Sequence, residues 1–292
     1  MNIRFQTSIP VFDRLVTYYL RLPDHPFKLR IARWLLWCFF PKDGLLARVH
    51  PNLILRLNLG DCIEAMLLLG IPYEPITLDF LERNLQSGDT ACLSGVNFGQ
   101  HVAVAARAVG NQGCVIGIEP QPRALLKAAE NLQLNQLDTQ VKLVQTAISD
   151  EQQGLIPMAW SSESNRGAVS LTDQGSGFVT TTTTLSECFR KLELKPRLLL
   201  LDIQGFEEYA LNGLDEANVP EIIVVEIDHD FLQRARSDAN KVYARLIQLG
   251  YQLFDLHGKR MTECETLPQD ARTISLIEFN VIGVQPNCRI VW

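Results

Sequence analysis

No two cysteines stand in a C-x-x-C pair. The seven present (Cys38, Cys62, Cys92, Cys114, Cys188, Cys264 and Cys288) are scattered and odd in number. That excludes a disulfide frame or a zinc ribbon and fits reduced core thiols of a cytoplasmic protein. The five histidines show no H-E-x-x-H spacing, so no metal is expected from them. No apolar run approaches the roughly 20 residues a membrane-spanning helix needs. The most apolar stretch of the amino-terminal region, Trp34–Phe40, is far shorter. Arg4, Asp13 and Arg14 interrupt the amino terminus, and no small-residue cleavage site follows an apolar stretch, so no secretory signal is expected. The formal charge of −6 leaves no general affinity for nucleic acid, and no basic stripe with interleaved aromatics appears. There is no G-x-G-x-x-G, which argues against a pyrophosphate cradle, and no Tyr-x-x-x-Lys, which further argues against a nicotinamide enzyme.

What is present is a strand–turn–helix pattern, used repeatedly. In Leu198–Leu214 (LLLLDIQGFEEYALNGL), four leucines read as a strand buried on both faces. Polarity returns at Asp202. Gly205 permits a sharp turn, and Ala210, Leu211 and Leu214 mark the next helix. An acid at the carboxyl end of a buried parallel strand sits where open α/β sheets bind ligands. The plainer alternative is that Asp202 caps the following helix. Upstream, Thr90–Val96 is a strand, and Gly95, Asn97 and Gly99 form its turn. Val102, Ala105, Ala106 and Val109 then recur at helical spacing. Cys114–Ile118 is the second strand and Glu119 ends it. Glu119 falls close to the distance at which a nucleotide-binding fold places its ribose-binding acid, about 20 residues past the glycine turn. A carboxylate suits that role because it accepts two hydrogen bonds from a vicinal diol. The alternative for Glu119 is a helix cap beside Pro120.

Further strands are expected over Val141–Thr146, Leu198–Ile203, Ile222–Ile227, Tyr251–Leu256 and Ser275–Val284. Helices are expected over Asn58–Gly70, Ile76–Asn84, Pro122–Leu134, around Leu185–Leu192 and over Phe231–Gly250. Gln152–Thr182 reads as a hairpin or loop insertion. The alternation predicts an α/β fold, a doubly wound, mostly parallel seven-stranded sheet. Residues 1–57 read as a helical accessory region with helices over Val11–Leu22 and Phe27–Phe39, and 58–292 as the main domain. Segment 27–40 mixes Lys28, Arg30 and Arg33 with aromatics. Such a helix suits a membrane interface. It equally suits packing on the main domain or on a second copy in a homo-oligomer, which the bracketing prolines favour.

These pieces together resemble the FkbM-type family of S-adenosylmethionine-dependent methyltransferases, from about Asn58 to about Gly283. The resemblance is carried by Gly70-Ile71-Pro72-Tyr73-Glu74, Ser87-Gly88-Asp89-Thr90, Gly95-Val96-Asn97-Phe98-Gly99, Ile118-Glu119-Pro120 and Ala147-Ile148-Ser149-Asp150. It continues through Thr184-Leu185-Ser186-Glu187, Leu201-Asp202-Ile203-Gln204-Gly205-Phe206-Glu207 and Val225-Glu226-Ile227. The chain departs from the family at three positions. Leu93 replaces an acid, Leu200 replaces a lysine two residues before the strand-end aspartate, and Gln204 replaces a glutamate two residues after it.

The resemblance implies a class I methyltransferase fold, with an antiparallel strand pair at its edge, and S-adenosylmethionine as cofactor. It implies that Gly95, Val96, Asn97 and Gly99 lie against the methionine end and ribose. Glu119 would take the ribose hydroxyls, and Ile148 and Ser149 would flank adenine. Asp202 would face the amino group or the acceptor, and Glu74 would lie at the lower edge of the cleft. The acceptor class it implies is a hydroxyl on a sugar, lipid-linked or secondary-metabolite molecule, with nucleic acid not expected. An alcohol acceptor must lose a proton, and His229, just after the fifth strand beside Asp228 and Asp230, is the first candidate base. Asp202 and Glu207 are the others. His229 and Asp230 could equally just start a helix, and Ile148 could be simple core. A rival function is a methyltransferase-like domain that binds without catalysis, because three polar positions are altered.

Overall fold

The computed structural model describes residues 44–58, 60–160, 169–170, 177–261 and 280–292, together with Tyr18, Tyr19, Phe27, Ile31 and Trp34. The helices expected over 11–22 and 27–39, and the role of segment 27–40, therefore lie largely outside the described residues. No helix among the described residues is long and apolar enough to cross a membrane.

A hairpin comes first, β1 (Leu45–His50) and β2 (Leu53–Leu57). Leu45, Ala47, Val49, Leu53, Leu55 and Leu57 alternate inward and are buried. The reading of 1–57 as a helical accessory region does not hold over Leu45–Leu57: these residues are strands, and the inward face of the hairpin joins the main core. Two asparagines of a later helix seal the outer edge of β2. Asn135 accepts from Ile54 N (3.0 Å) and donates to Ile54 O (2.6 Å), while Asn131 accepts from Arg56 N (2.7 Å). The amides imitate a neighbouring strand and cover an edge that would otherwise invite pairing.

Helices α1 (Cys62–Leu68) and α2 (Pro75–Asn84) follow. The main sheet then starts with β3 (Thr90–Ser94), α3 (Gln100–Val109), β4 (Cys114–Ile118), α4 (Pro122–Leu134) and β5 (Val141–Val144). After β6 (Ala147–Ile148) comes the insertion β7 (Ile156–Trp160), β8 (Val169–Ser170) and β9 (Gly177–Thr180), a small antiparallel sheet in the order β8-β7-β9. The two-residue β10 (Thr182–Thr183) pairs with β6. The second half runs through α5 (Leu185–Lys191), β11 (Leu198–Leu201), α6 (Glu207–Asn212), β12 (Ile222–Glu226), α7 (His229–Arg234), α8 (Ala239–Gln248), β13 (Gln252–Phe254), β14 (Arg260–Met261) and β15 (Asn280–Val284).

The strand order is β14-β13-β15-β12-β11-β3-β4-β5. Strands β12, β11, β3, β4 and β5 are parallel, and β15 runs antiparallel between β12 and β13. The eighth strand, beyond the seven expected, is the two-residue edge β14. Chain order reverses direction between β3 and β11, so the crevice beyond their carboxyl ends is the topological switch point. The single helix expected over Phe231–Gly250 is two helices. Arg236 takes a left-handed conformation (φ 60°), and Asp238 restarts the chain by accepting from Lys241 N (3.1 Å).

Odd and even residues of each central strand feed opposite layers. Leu198 and Leu200 join one core, and Leu199 and Leu201 the other. This bears on two of the departures from the family pattern. Leu200 pairs in register with Leu93 on β3, and both are buried in the same core. The acid and the lysine that the family carries at 93 and 200 would therefore be cross-strand neighbours. This chain carries leucine at both positions, and apolar residues in place of a buried ion pair are often neutral or stabilising. Leu200→Lys alone is expected to destabilise by ~3–5 kcal/mol, the penalty of an unpaired buried charge. Adding Leu93→Asp should restore much of that loss in chemical denaturation, whereas purely additive losses would rule out the pairing.

Candidate functional site

The site is assembled where β3, β4, β11 and β12 end. At the end of β3 the chain makes a left-handed turn at Gly95 (φ 94°), and Gly95 N donates to Ile118 O on β4 (3.0 Å). A side chain at Gly95 would overlap the carbonyl oxygen of Asp202, with its Cβ 1.8 Å away. The ends of β3 and β11 thus touch through backbone, and only glycine fits between them. Asn97 is also left-handed (φ 49°), and Gly99 (φ 92°) starts α3 pressed on Ala128 of α4. Asn131 Nδ2 donates to Phe98 O (2.8 Å), fixing the turn against the helix that seals the hairpin. Val96 is buried in the core beneath the turn.

Glu119, the residue after β4, is buried, and both its carboxylate oxygens are anchored. Oε2 accepts from Asn97 N (3.0 Å) and Oε1 from Gln121 N (2.9 Å). The structure thus gives Glu119 both a turn-binding and a helix-start role. Each oxygen retains a lone pair for a further donor. Burial pushes its pKa up to about 7, against the lowering effect of these two backbone bonds.

Facing it across the crevice is a group of acids. Glu74, Asp202 and Glu226 hold carboxylate oxygens within 4.8 Å of one another. Asp202 follows β11 and Glu226 ends β12. Glu74 precedes Pro75 at the start of α2, in a left-handed conformation (φ 45°). Gln204, also left-handed (φ 55°), donates Nε2 to Asp202 Oδ1 (3.0 Å) and, more distantly, to Glu226 Oε2 (3.5 Å). Three of the six non-glycine residues with positive φ among the described residues therefore flank this crevice, where backbone strain is commonly kept for function. The third departure from the family also gains a reason. A glutamine donates to the two acids, where a glutamate would add a fourth acid.

Burial raises Asp202 and Glu226, and their mutual proximity raises Glu226 furthest. Burial would also raise Glu74, but it is held below its ordinary value by His101 and by hydrogen bonds from His101, Tyr73 and Asn280. His101 Nε2 lies 3.1 Å from Glu74 Oε2, and the His101 ring meets Tyr73 edge-on. Glu207, at the start of α6, is buried. Its Oε1 accepts from Ile203 N (3.0 Å) and Gly205 N (3.2 Å), closing the turn after β11, and burial pushes its pKa up to about 7. His101, beside Glu74, is thus set against an excess of acidic groups, Asp202, Glu226, Glu119 and Glu207, and an incoming cation would favour their ionised forms.

The remaining sequence candidates sit further out. His229 is the exposed first residue of α7, which Asp228 caps by accepting from Asp230 N and Phe231 N. Ile148 is buried in the core, and Ser149 N donates to Thr183 O (3.0 Å) on the rung beside β6. Sequence reasoning did not single out His101 or group Glu74 with Asp202 and Glu226. Only the "Tyr-Glu" and "Val-Glu-Ile" fragments carried that signal.

The raised acids set a pH dependence for the ligand-free protein. An acid whose folded-state pKa lies above its unfolded value keeps a proton on folding, so stability falls as pH rises from about 4.5 to about 7. Glu119 and Glu207 each carry up to roughly 3 kcal/mol of that loss. The urea midpoint of the ligand-free chain should therefore drop between pH 5 and pH 8, and Glu207→Gln should flatten the drop. An identical pH slope in the variant would remove Glu207 from this account.

Comparison with known proteins places this geometry. No curated protein sequence matches the chain. Among solved structures, the chain is similar to a precorrin-6y C5,15-methyltransferase from Geobacter metallireducens, with 15% identity, covering 62% of this chain and 71% of that one at a TM-score of 0.39. It is similar to an S-adenosylmethionine-dependent O-methyltransferase from Thermotoga maritima, with 16% identity, covering 75% and 67% at 0.41. It is also similar to an rRNA methylase from Streptococcus thermophilus, with 13% identity, covering 72% and 94% at 0.37. These are likenesses of outline only. The sequence model of the methyltransferase FkbM domain, by contrast, matches residues 94–253, from the last residue of β3 into β13 and through every strand end that forms the crevice. That match spans more than half of the chain, and the chain belongs to the FkbM methyltransferase family.

Proposed function

We propose that this chain transfers the methyl group of S-adenosylmethionine to a hydroxyl oxygen of a sugar, lipid-linked or secondary-metabolite acceptor. The observation that carries the reading is Glu119. It is buried beside the glycine turn at the switch point, anchored by two backbone N–H groups, and each oxygen is still able to accept. Those two oxygens suit the ribose hydroxyls of the cofactor. Gly95, Val96 and Asn97 offer backbone to its methionine end, with Gly99 opening the helix behind them. The cofactor, when bound, supplies a methyl on a positively charged sulfonium, and the surrounding acids favour that charge. Ile148 and Ser149, in the separate two-stranded pairing of β6 with β10 that follows β5, would flank the adenine.

The acceptor enters from the side of Asp202 and Glu226. The excess of carboxylates there repels phosphates, which favours a neutral hydroxyl compound over a polyanion such as RNA. Two histidines are available to take its proton. His229 has the looser setting, exposed on α7. His101 has the tighter one, buried with its Nε2 3.1 Å from Glu74 Oε2, which orients the ring. Asp202 and Glu207 remain carboxylate alternatives. The rival function, binding without catalysis, loses support where Leu93 and Leu200 form a matched apolar pair buried in the core.

Incubation with methyl-labelled cofactor and a panel of hydroxylated sugars, lipid-linked glycans and polyketide alcohols tests the reading. Label is expected in an alkali-stable ether of one acceptor class. With that acceptor, alanine at the working histidine should lower turnover ~10²-fold and leave cofactor affinity near wild type. Label recovered on nitrogen or in RNA would overturn the proposed acceptor.

A further inference from the structure

We propose that Glu74, Asp202 and Glu226 form a binding site for one hard divalent cation, of the magnesium, manganese or calcium class, at the acceptor side of the crevice. The proposal rests on the reading of this crevice as the methyl-transfer site and names a ligand for it. The three carboxylates come from separate places in the fold, the start of α2 and the ends of β11 and β12, and converge within 4.8 Å. All-oxygen donors of that charge select hard cations over zinc or copper. A calcium ion spans up to about 5 Å between opposite oxygens and a magnesium ion about 4 Å, so the trio fits with little or no closure.

A cluster of acids alone says little. The second observation is a pair of buried polar atoms left without a partner at its margin. Glu207 is 1% exposed, and its Oε1 is fully engaged by the turn after β11, but its Oε2 has no hydrogen-bond partner. Asp202 lies close enough to act on Glu207, and Glu207 in turn acts on Glu226. Gln100 is 2% exposed, and its Nε2 donates to the carbonyl of Tyr73, the residue before Glu74, while its Oε1 is unpartnered. Both orphans are oxygens, so what the surroundings lack is a donor or a cation. Protonating Glu207 would not give Gln100 a partner. Nearby cationic charge comes from His101, already placed on Glu74.

The site also makes chemical sense of its position. A divalent cation held by Asp202 and Glu226 would draw in an acceptor hydroxyl oxygen and lower its pKa. Gln204 has a matching role, because turning its amide would present Oε1 in place of Nε2 to a bound ion without any change of backbone.

The test is calorimetric titration of the full, chelator-treated chain with MgCl₂, MnCl₂ and CaCl₂ in separate experiments, without cofactor or acceptor. One ion per chain is expected for at least one of the three, with a dissociation constant of about 1 mM or tighter. Asp202→Asn and Glu226→Gln should each weaken binding at least tenfold, and Glu187→Gln, which removes a half-buried acid paired with Arg190 on α5, should leave it unchanged. Absence of binding by the wild-type chain would overturn the proposal, whatever the variants do. So would binding that survives both substitutions. S-adenosylmethionine titrated into the same chelated protein separates the two readings. Cofactor binding without ion binding would sink the cation site and leave the methyltransferase reading intact.

Discussion

Gly95→Ala is expected to destabilise the protein by more than ~4 kcal/mol and to abolish cofactor binding. The new Cβ would lie 1.8 Å from the carbonyl oxygen and 2.8 Å from the carbonyl carbon of Asp202, both backbone atoms. No rotamer change relieves such an overlap. β3 and β11 must separate at the end where the crevice forms, and Asp202 must move from Glu226. Gly88→Ala supplies the control. Gly88 has nearly the same φ (93° against 94°), but a Cβ there meets nothing within 4 Å. It should cost only the left-handed backbone penalty, about 1–2 kcal/mol. Equal destabilisation of the two variants in urea would show that Gly95 is needed for its torsion and not for the contact of two strands.

The second large effect concerns Glu119→Ala. Two charge-assisted hydrogen bonds to ribose hydroxyls are worth ~1.5–3 kcal/mol each, so the affinity for S-adenosylmethionine should fall by about 10²-fold or more. The same substitution frees Asn97 N and Gln121 N, which would loosen the turn, so loss of affinity alone is not diagnostic. A 2′,3′-dideoxy analogue of S-adenosylhomocysteine resolves this. It should bind the wild-type chain more weakly than the parent compound and bind Glu119→Ala about equally. A folded variant with unchanged affinity would remove Glu119 from the ribose site.

Much of the fold was legible because the central strands are buried on both faces and so appear as unbroken apolar runs. Leu198–Leu201 and Ile222–Glu226 are of this kind. The residue at which each run ends could be read for the same reason, and Glu119 and Asp202 stand at such ends. The hairpin Leu45–Leu57 was missed although its alternation is plain, because its two strands are not separated by helices and so fall outside the βα rhythm. The break at Arg236 was hidden by the apolar period, which continues in phase across it. The acid trio was beyond reach, since it depends on how α2 is set over the ends of β11 and β12. His101 looked like one polar residue at the start of an amphipathic helix. Its meaning comes from Glu74, brought to it by the left-handed turn before Pro75.

Leu93, Leu200 and Gln204 illustrate how departures from a family pattern separate once register is known. Two are cross-strand neighbours inside the sheet, and the third is a donor to the acids of the crevice.

The central claim is that the crevice between β3 and β11 holds the cofactor. Amide hydrogen exchange of the wild-type chain, followed with and without S-adenosylmethionine, tests it in one measurement. Protection is predicted in peptides covering 95–100, 119–122 and 202–207, with little change at α8 or β13. Unaltered exchange at saturating cofactor, or protection confined to other elements, would contradict the account.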